Sequence, residues 1–428
     1  MSDSNTRAYL FRFRGSDYVF CRTAGHGAEA QAQVVQKVST GELLIRKVSK
    51  NRLDRSKCIE PNEFHLMEEY LSKPPRSPDI RPLIPEFYGY EKIQSKNGLF
   101  HLVSYWQLIN GGSVKELIMT KYNSIKHTKF NPDKRFPARL IARMLHQVFS
   151  SLQHLYTVYK KPIFHKDLHP GNIWLHFAPS GDGELSDIPD FYLGDFGYAG
   201  WDFGFNPNHM ATRDIDHVME WARLMICINL PEHQRPPRDG AVPYPDDPQR
   251  GRTIPGDAPM TAILSLYYDF CHELKQFKDQ TGRRICEPSC PPPDLSNIIR
   301  RAEALEKKLT PSLTGCMLMT GLNESNDPRV QNFMHEIKEK AFQTASAPPL
   351  TMHGTYEKCL TPMVRDFPIK VHGPFYLAEM SATTGRWEAI DDVTHHRPGK
   401  TRGSGRGLRA ISESPDEEDG ETDSEPEF

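Results

Sequence analysis

Long apolar runs are missing from this chain. No segment of its 428 residues approaches the roughly 20 apolar residues that a membrane-spanning helix needs, so no membrane partner is expected. The opening Met1-Ser2-Asp3-Ser4-Asn5 begins no apolar stretch, which predicts that no secretory signal is present. An excess of charge of one sign is also missing. Lys plus Arg number 53 against 55 Asp plus Glu, a formal net charge of −2, and this balance gives no reason to expect nucleic acid as a partner. Cysteine is sparse, with eight residues scattered along the chain. Only Cys286 and Cys290 lie close together, and Glu-Pro-Ser between them without a neighbouring His argues against a zinc site. All eight read as free thiols of a reducing compartment, which predicts an intracellular, cytoplasmic location with the nucleus left open. No internal repeat is evident.

What is present is a series of short polar motifs, each set after an apolar segment. Tyr18-Val19-Phe20-Cys21 reads as a strand and leads into Gly25-His26-Gly27-Ala28-Glu29-Ala30. A second strand covers Gln33 to Val38, and Ser39-Thr40-Gly41-Glu42 forms a turn. A third strand, Leu43-Leu44-Ile45-Arg46-Lys47, ends in a lysine. Pro61 to Leu71 reads as an amphipathic helix with Phe64, Met67, Tyr70 and Leu71 on one face and Glu63 near its start. Phe136 to Tyr159 reads as a long helix that buries Leu140, Met144, Leu145, Val148, Leu152, Leu155 and Tyr159. Two polar segments follow it: His165-Lys166-Asp167-Leu168-His169-Pro170-Gly171-Asn172, of the form H-x-D-L-x-x-x-N, and Asp195-Phe196-Gly197. Phosphoryl transfer needs such a set. Oxygen ligands hold Mg2+ against phosphates, and one carboxylate sits where a hydroxyl nucleophile loses its proton.

These motifs, in this order, resemble the eukaryotic protein-kinase superfamily over residues 15 to 340. The resemblance implies an α+β, bilobal protein-kinase-like fold, with a small β-rich N-lobe over a larger helical C-lobe. The implied division is an N-terminal extension (1–14), an N-lobe (15–110), and a C-lobe (111–345) with a surface insertion near 231–259. A C-terminal extension (346–394) and a tail (395–428) follow. The tail turns from basic to strongly acidic and is too poor in apolar residues to offset the cost of ordering. The resemblance also implies roles. Asp167 positions the nucleophile, and Asn172 and Asp195 are the metal ligands for Mg2+. Lys47, paired with Glu63, grips the ATP phosphates, with Glu68 and Glu69 as the other carboxylates on that helix. Gly25 and Gly27 cover the phosphates. Asp214 braces the catalytic loop, with Asp216 as the alternative.

The departures bear on function. His169 stands where Ser/Thr kinases carry a lysine that reaches the γ-phosphate, and Lys166 replaces the usual Arg, losing its planar fork. His-Pro-Gly-Asn at this place also resembles the small-molecule branches of the superfamily. Ala30 replaces the third Gly of the phosphate loop. Ile45 and Ala32 exchange the large and small residues that line the adenine site, a swap that offsets in volume. Trp174 falls at the floor of that site, where it either stacks on adenine or fills its space. Only Tyr198 to Arg213 separates Asp195-Phe196-Gly197 from Asp214, and no A-P-E is present, which weakens a peptide platform. The extra chain from His176 to Pro189 reads as a solvated loop. The expectation is an ATP- and Mg2+-dependent kinase acting on Ser/Thr hydroxyls of a protein substrate. A phosphotransferase for a small-molecule hydroxyl and a pseudokinase scaffold are the alternatives.

Overall fold

The computed structural model describes residues 7–26, 30–49, 61–71, 82–94, 100–122, 135–159, 161–180, 184–201, 207–237, 252–282, 292–310, 324, 326–346, 348, 375–380 and 387–392. Gly27, Cys286, Cys290, the tail and residues 238–251 of the expected 231–259 insertion lie outside them.

The chain is mixed α+β. Strands β1 (Arg7–Phe13), β2 (Ser16–His26), β3 (Ala30–Lys37), β4 (Leu43–Ser49), β5 (Phe87–Gln94) and β6 (Phe100–Gln107) belong to one sheet. Two late strands, β9 (Phe375–Met380) and β10 (Trp387–Asp392), join it, giving the order β10-β9-β1-β2-β3-β4-β6-β5. Every pairing in the sheet is antiparallel. Residues 1–14 were expected to be an N-terminal extension, and within them β1 pairs on one side with β2 and on the other with β9. The physical reason is non-local. A strand edge is satisfied by any segment that reaches it, however distant in sequence.

Period-two alternation sets the two faces of the sheet. On β4, Leu44, Arg46 and Val48 point to one face and Ile45 and Lys47 to the other. The first face builds a small core with Phe11, Phe13, Tyr18, Phe20, Val35, Val103 and Tyr105. Arg46 is buried there, and its charge is met by Gln33 Oε1 at 2.8 Å and the Tyr105 hydroxyl at 3.3 Å. The opposite face turns toward α1 (Asn62–Leu66), which continues through one π-helical turn to Leu71. Phe64 fixes this helix to the sheet by stacking on Tyr90 and Phe87 at 4.8 and 5.4 Å.

The remaining helices are α2 (Val114–Tyr122), α3 (Ala138–Thr157), α4 (Pro207–Ile228), α5 (Ala258–Gly282), α6 (Ser296–Leu309) and α7 (Pro328–Ala345). Helix α3 is their axis, buried along most of its length, and it packs on α4, α5 and α6. The expected stripe of Leu140, Met144, Leu145, Val148, Leu152 and Leu155 is wholly buried, while Tyr159 lies past the helix end and is half-buried. Asp327 caps α7 by accepting the Arg329 amide at 2.9 Å, with Pro328 in the first turn, as a helix start favours. Between sheet and helices lies a short ribbon of β7 (Ile173–His176) and β8 (Asp190–Leu193).

Candidate active site

Helix α3 and the segment after β6 hold the ribbon from two sides. From α3, Arg143 bonds Asp190 Oδ1 at 2.5 Å, and Gln147 Oε1 accepts the Phe191 amide at 2.8 Å. From the other side, Asn110 exchanges two bonds with the Phe177 backbone, and the Gly111 amide donates to Leu175 O at 2.8 Å. A side chain at Gly111 would come within 2.6 Å of that same oxygen, so the close approach requires glycine. The ribbon therefore delivers Asn172 at one end and Gly194-Asp195 at the other as neighbours, joined by the Gly194 amide donating to Asn172 O at 2.9 Å.

The loop before the ribbon is held from α4. Asp214 is fully buried, and its two oxygens accept the amides of His165 and Lys166, each at 2.9 Å. Burial pushes its carboxyl up to about 7, while the two amides pull the other way. Asp214 lies inside its helix and not at its start. Helix α4 begins at Pro207, two turns earlier. Asp216 is half-exposed and pairs instead with Lys278 at 2.7 Å.

His165 is buried, and its Nε2–H donates to Gly194 O at 3.0 Å. Burial lowers its pKa and keeps it neutral. Lys166 and Asp195 both adopt left-handed backbone, with φ of 66° and 61°. For residues other than glycine each costs about 1–2 kcal/mol. Strain of this kind persists only where the surroundings impose it. Here Asp214 holds the Lys166 amide, and Glu63 Oε1 on α1 accepts the Phe196 amide at 3.1 Å.

The structure brings the expected residues together in two groups. Asp167, His169, Asn172 and Asp195 lie on the loop and at the ribbon end. Asn172 Nδ2 donates to Asp167 O at 2.9 Å, which orients its amide. Asp195 is exposed to solvent. Asn172 and Asp195 are hard oxygen donors of the type Mg2+ takes, and Mg2+ ordinarily completes its shell with phosphate and water. The described residues hold no cluster of three or more His, Cys, Asp or Glu suited to a metal. His169 Nδ1 accepts the Gly171 amide at 3.0 Å. Its ring proton therefore sits on Nε2, which faces Asp167 Oδ2 at 3.7 Å.

The second group is a row across the sheet. Gly25 faces Ala32, Ala32 faces Lys47, and Ile45 faces Trp106. The Lys47 ammonium lies over two indoles, 4.9 Å from the ring centre of Trp106 and 5.6 Å from that of Trp174. The ion pair expected between Lys47 and Glu63 is not among those formed by the described residues.

Sequence reasoning missed Trp106, Gly194 and Asn62. Trp106 shares a face with Ser104 by period two along β6, but its place beside Lys47 needs the strand register. Asn62 Nδ2 donates to Ala199 O at 2.9 Å, and Tyr70 packs edge-on against Trp201 at 4.9 Å, so α1 touches the segment after Phe196 at three points. Gly194 lies flat against the Trp174 ring. No protein-family model matches this chain, and no curated protein matches it.

Proposed function

We propose that the chain is an ATP-dependent phosphotransferase of bilobal kinase-like fold, transferring the γ-phosphoryl group to Ser/Thr hydroxyls of a protein. The observation that carries this reading is the clamp of Asp214 on the His165 and Lys166 amides. It fixes Asp167 and Asn172 beside Gly194-Asp195 at the cost of two strained residues. Three further features support it: the Gly25-Ala32-Lys47 row, the hold of Glu63 on the Phe196 amide, and the open carboxylate of Asp195.

In this reading Asp167 orients the acceptor hydroxyl and takes its proton. His169, whose Nδ1 accepts the Gly171 amide, points its Nε2 toward the same space. Asn172 and Asp195 would hold Mg2+, and Lys47 would hold phosphate oxygens. Bound ATP would supply the phosphoryl group, and Mg2+ would offset part of its charge. The chain's own contribution is placement, the main protein term in phosphoryl transfer.

The proximity of the Trp174 ring to Lys47 favours a second reading, a nucleotide-free scaffold whose pocket the indole fills. Calorimetry with MgATP on wild type and Asp195→Ala separates the two. Mg2+-dependent binding that weakens in the variant, with turnover abolished, supports the enzyme. Substantial turnover in Asp195→Ala refutes the assignment, and no binding by wild type favours the scaffold.

A further inference from the structure

We infer that Trp106 and Trp174 are positioning residues for Lys47, holding its ammonium between two ring faces. The inference rests on the phosphotransferase reading only for what Lys47 then grips. Both ring centres lie within the 6 Å at which a cation and an aromatic face attract.

The orientation of each indole is set by bonds that a space-filling role does not require. Trp174 Nε1–H donates to Gly171 O at 2.6 Å, on the loop that carries Asp167 and Asn172. One edge of its six-membered ring lies on Gly194, where an added Cβ would come within 2.6 Å of Cε3 and Cη2. Trp106 Nε1–H donates to Ser104 Oγ at 2.8 Å, and Ser104 is the cross-strand neighbour of Lys47. Phe87 packs on the Trp106 ring at 4.5 Å.

The consequence is a different division of labour. The Glu63 carboxylate secures the backbone after Asp195, and the aromatic pair aims the lysine. Because the Trp174 indole is bonded to the loop of Asp167, the pair also couples the lysine on the sheet to the loop among the helices.

The test uses full-length chain carrying 13C-labelled lysine, without nucleotide. Ring currents should place the Lys47 ε-CH2 resonance upfield of the other lysines, with its identity fixed by Lys47→Arg. Trp174→Leu should return it toward the others, and Glu63→Gln should leave it in place. A Lys47 resonance that coincides with the bulk lysines in wild type overturns the inference. So does one that moves in Glu63→Gln and stays in Trp174→Leu. Should Trp174→Leu fail to fold, Trp174→Phe decides: a reduced upfield shift supports the inference, and an unchanged one overturns it. In a second arm, Trp174→Leu should bind MgATP about tenfold more weakly than wild type, a size between those of an exposed and a desolvated cation–π contact. Equal affinity overturns the role in binding. Absence of MgATP binding by wild type defeats the phosphotransferase reading alone, since the resonance arm needs no nucleotide.

Discussion

Replacing Gly194 by alanine probes the point where the ribbon, the loop of Asp167 and the lysine meet. The added Cβ would sit 2.6 Å from Trp174 Cε3 and Cη2, against the ~3.5–4.0 Å of an unstrained carbon contact. The ring must retreat by about 1 Å. It cannot do so freely, because its Nε1–H is bonded to Gly171 O at 2.6 Å and its strand is paired with Tyr192 opposite. Overpacking of this kind costs about 1–3 kcal/mol, and loss of the indole hydrogen bond adds about 1 kcal/mol. Gly194→Ala should therefore destabilise the chain by about 2–4 kcal/mol. The assay is urea unfolding followed by far-UV circular dichroism, on wild type, Gly194→Ala, Trp174→Leu and the double variant. Leucine in place of the indole removes the clash, so the double variant should be more stable than the sum of the single losses predicts. A Gly194→Ala loss below about 0.5 kcal/mol, or a coupling energy below about 0.5 kcal/mol, would refute the reasoning.

Other perturbations test the parts around this point. Asp214→Ala leaves the His165 and Lys166 amides without their acceptor, at about 1–3 kcal/mol each. Stability should fall by about 3 kcal/mol in the same assay, and ATP turnover should be lost with it; a variant that keeps wild-type turnover contradicts the clamp. His154 is 2% exposed, and burial pushes its pKa down to about 4 from 6.5. The folded chain then binds fewer protons than the unfolded chain between those values. The stabilisation is complete above pH 6.5 and is lost as the pH falls toward 4. Wild type should lose about 2 kcal/mol from this group between about pH 7 and 5, a loss absent from His154→Phe; equal losses in both proteins contradict it. Ending the chain after Ala345 removes β9 and bares the edge of β1, so size-exclusion chromatography should show concentration-dependent association. A truncated chain that stays monomeric at every concentration speaks against the role of the hairpin.

The loop and ribbon residues were legible because their chemistry is local. Asp167, Asn172 and Asp195 sit in short motifs, and the structure brings these motifs together at the loop and the ribbon end. Lys47 was legible as the end of an alternating strand, and the α3 stripe as a helical period. Less could be read where one residue serves two elements. Glu63 was expected to meet Lys47, since both positions follow a known spacing, yet the Glu63 carboxylate reaches the Phe196 amide. A carboxylate on a helix face can turn to any donor within its reach, and spacing does not choose among them. The left-handed backbone of Lys166 was equally hidden, because lysine rarely adopts it, and the residue type of Asp195 permits it without requiring it.

Sequence by itself determined the strands around Val19 and Leu44 and the helices around Phe64 and Val148. These follow from hydrophobic period, which is a property of neighbours along the chain. Only the tertiary structure decided that β9 reaches β1, that Asp214 rather than Asp216 turns inward, and that two indoles flank Lys47. Each of those is a contact between segments far apart in sequence. Its energy comes from register and packing, quantities that arise only once the sheet and the helices have closed on one another.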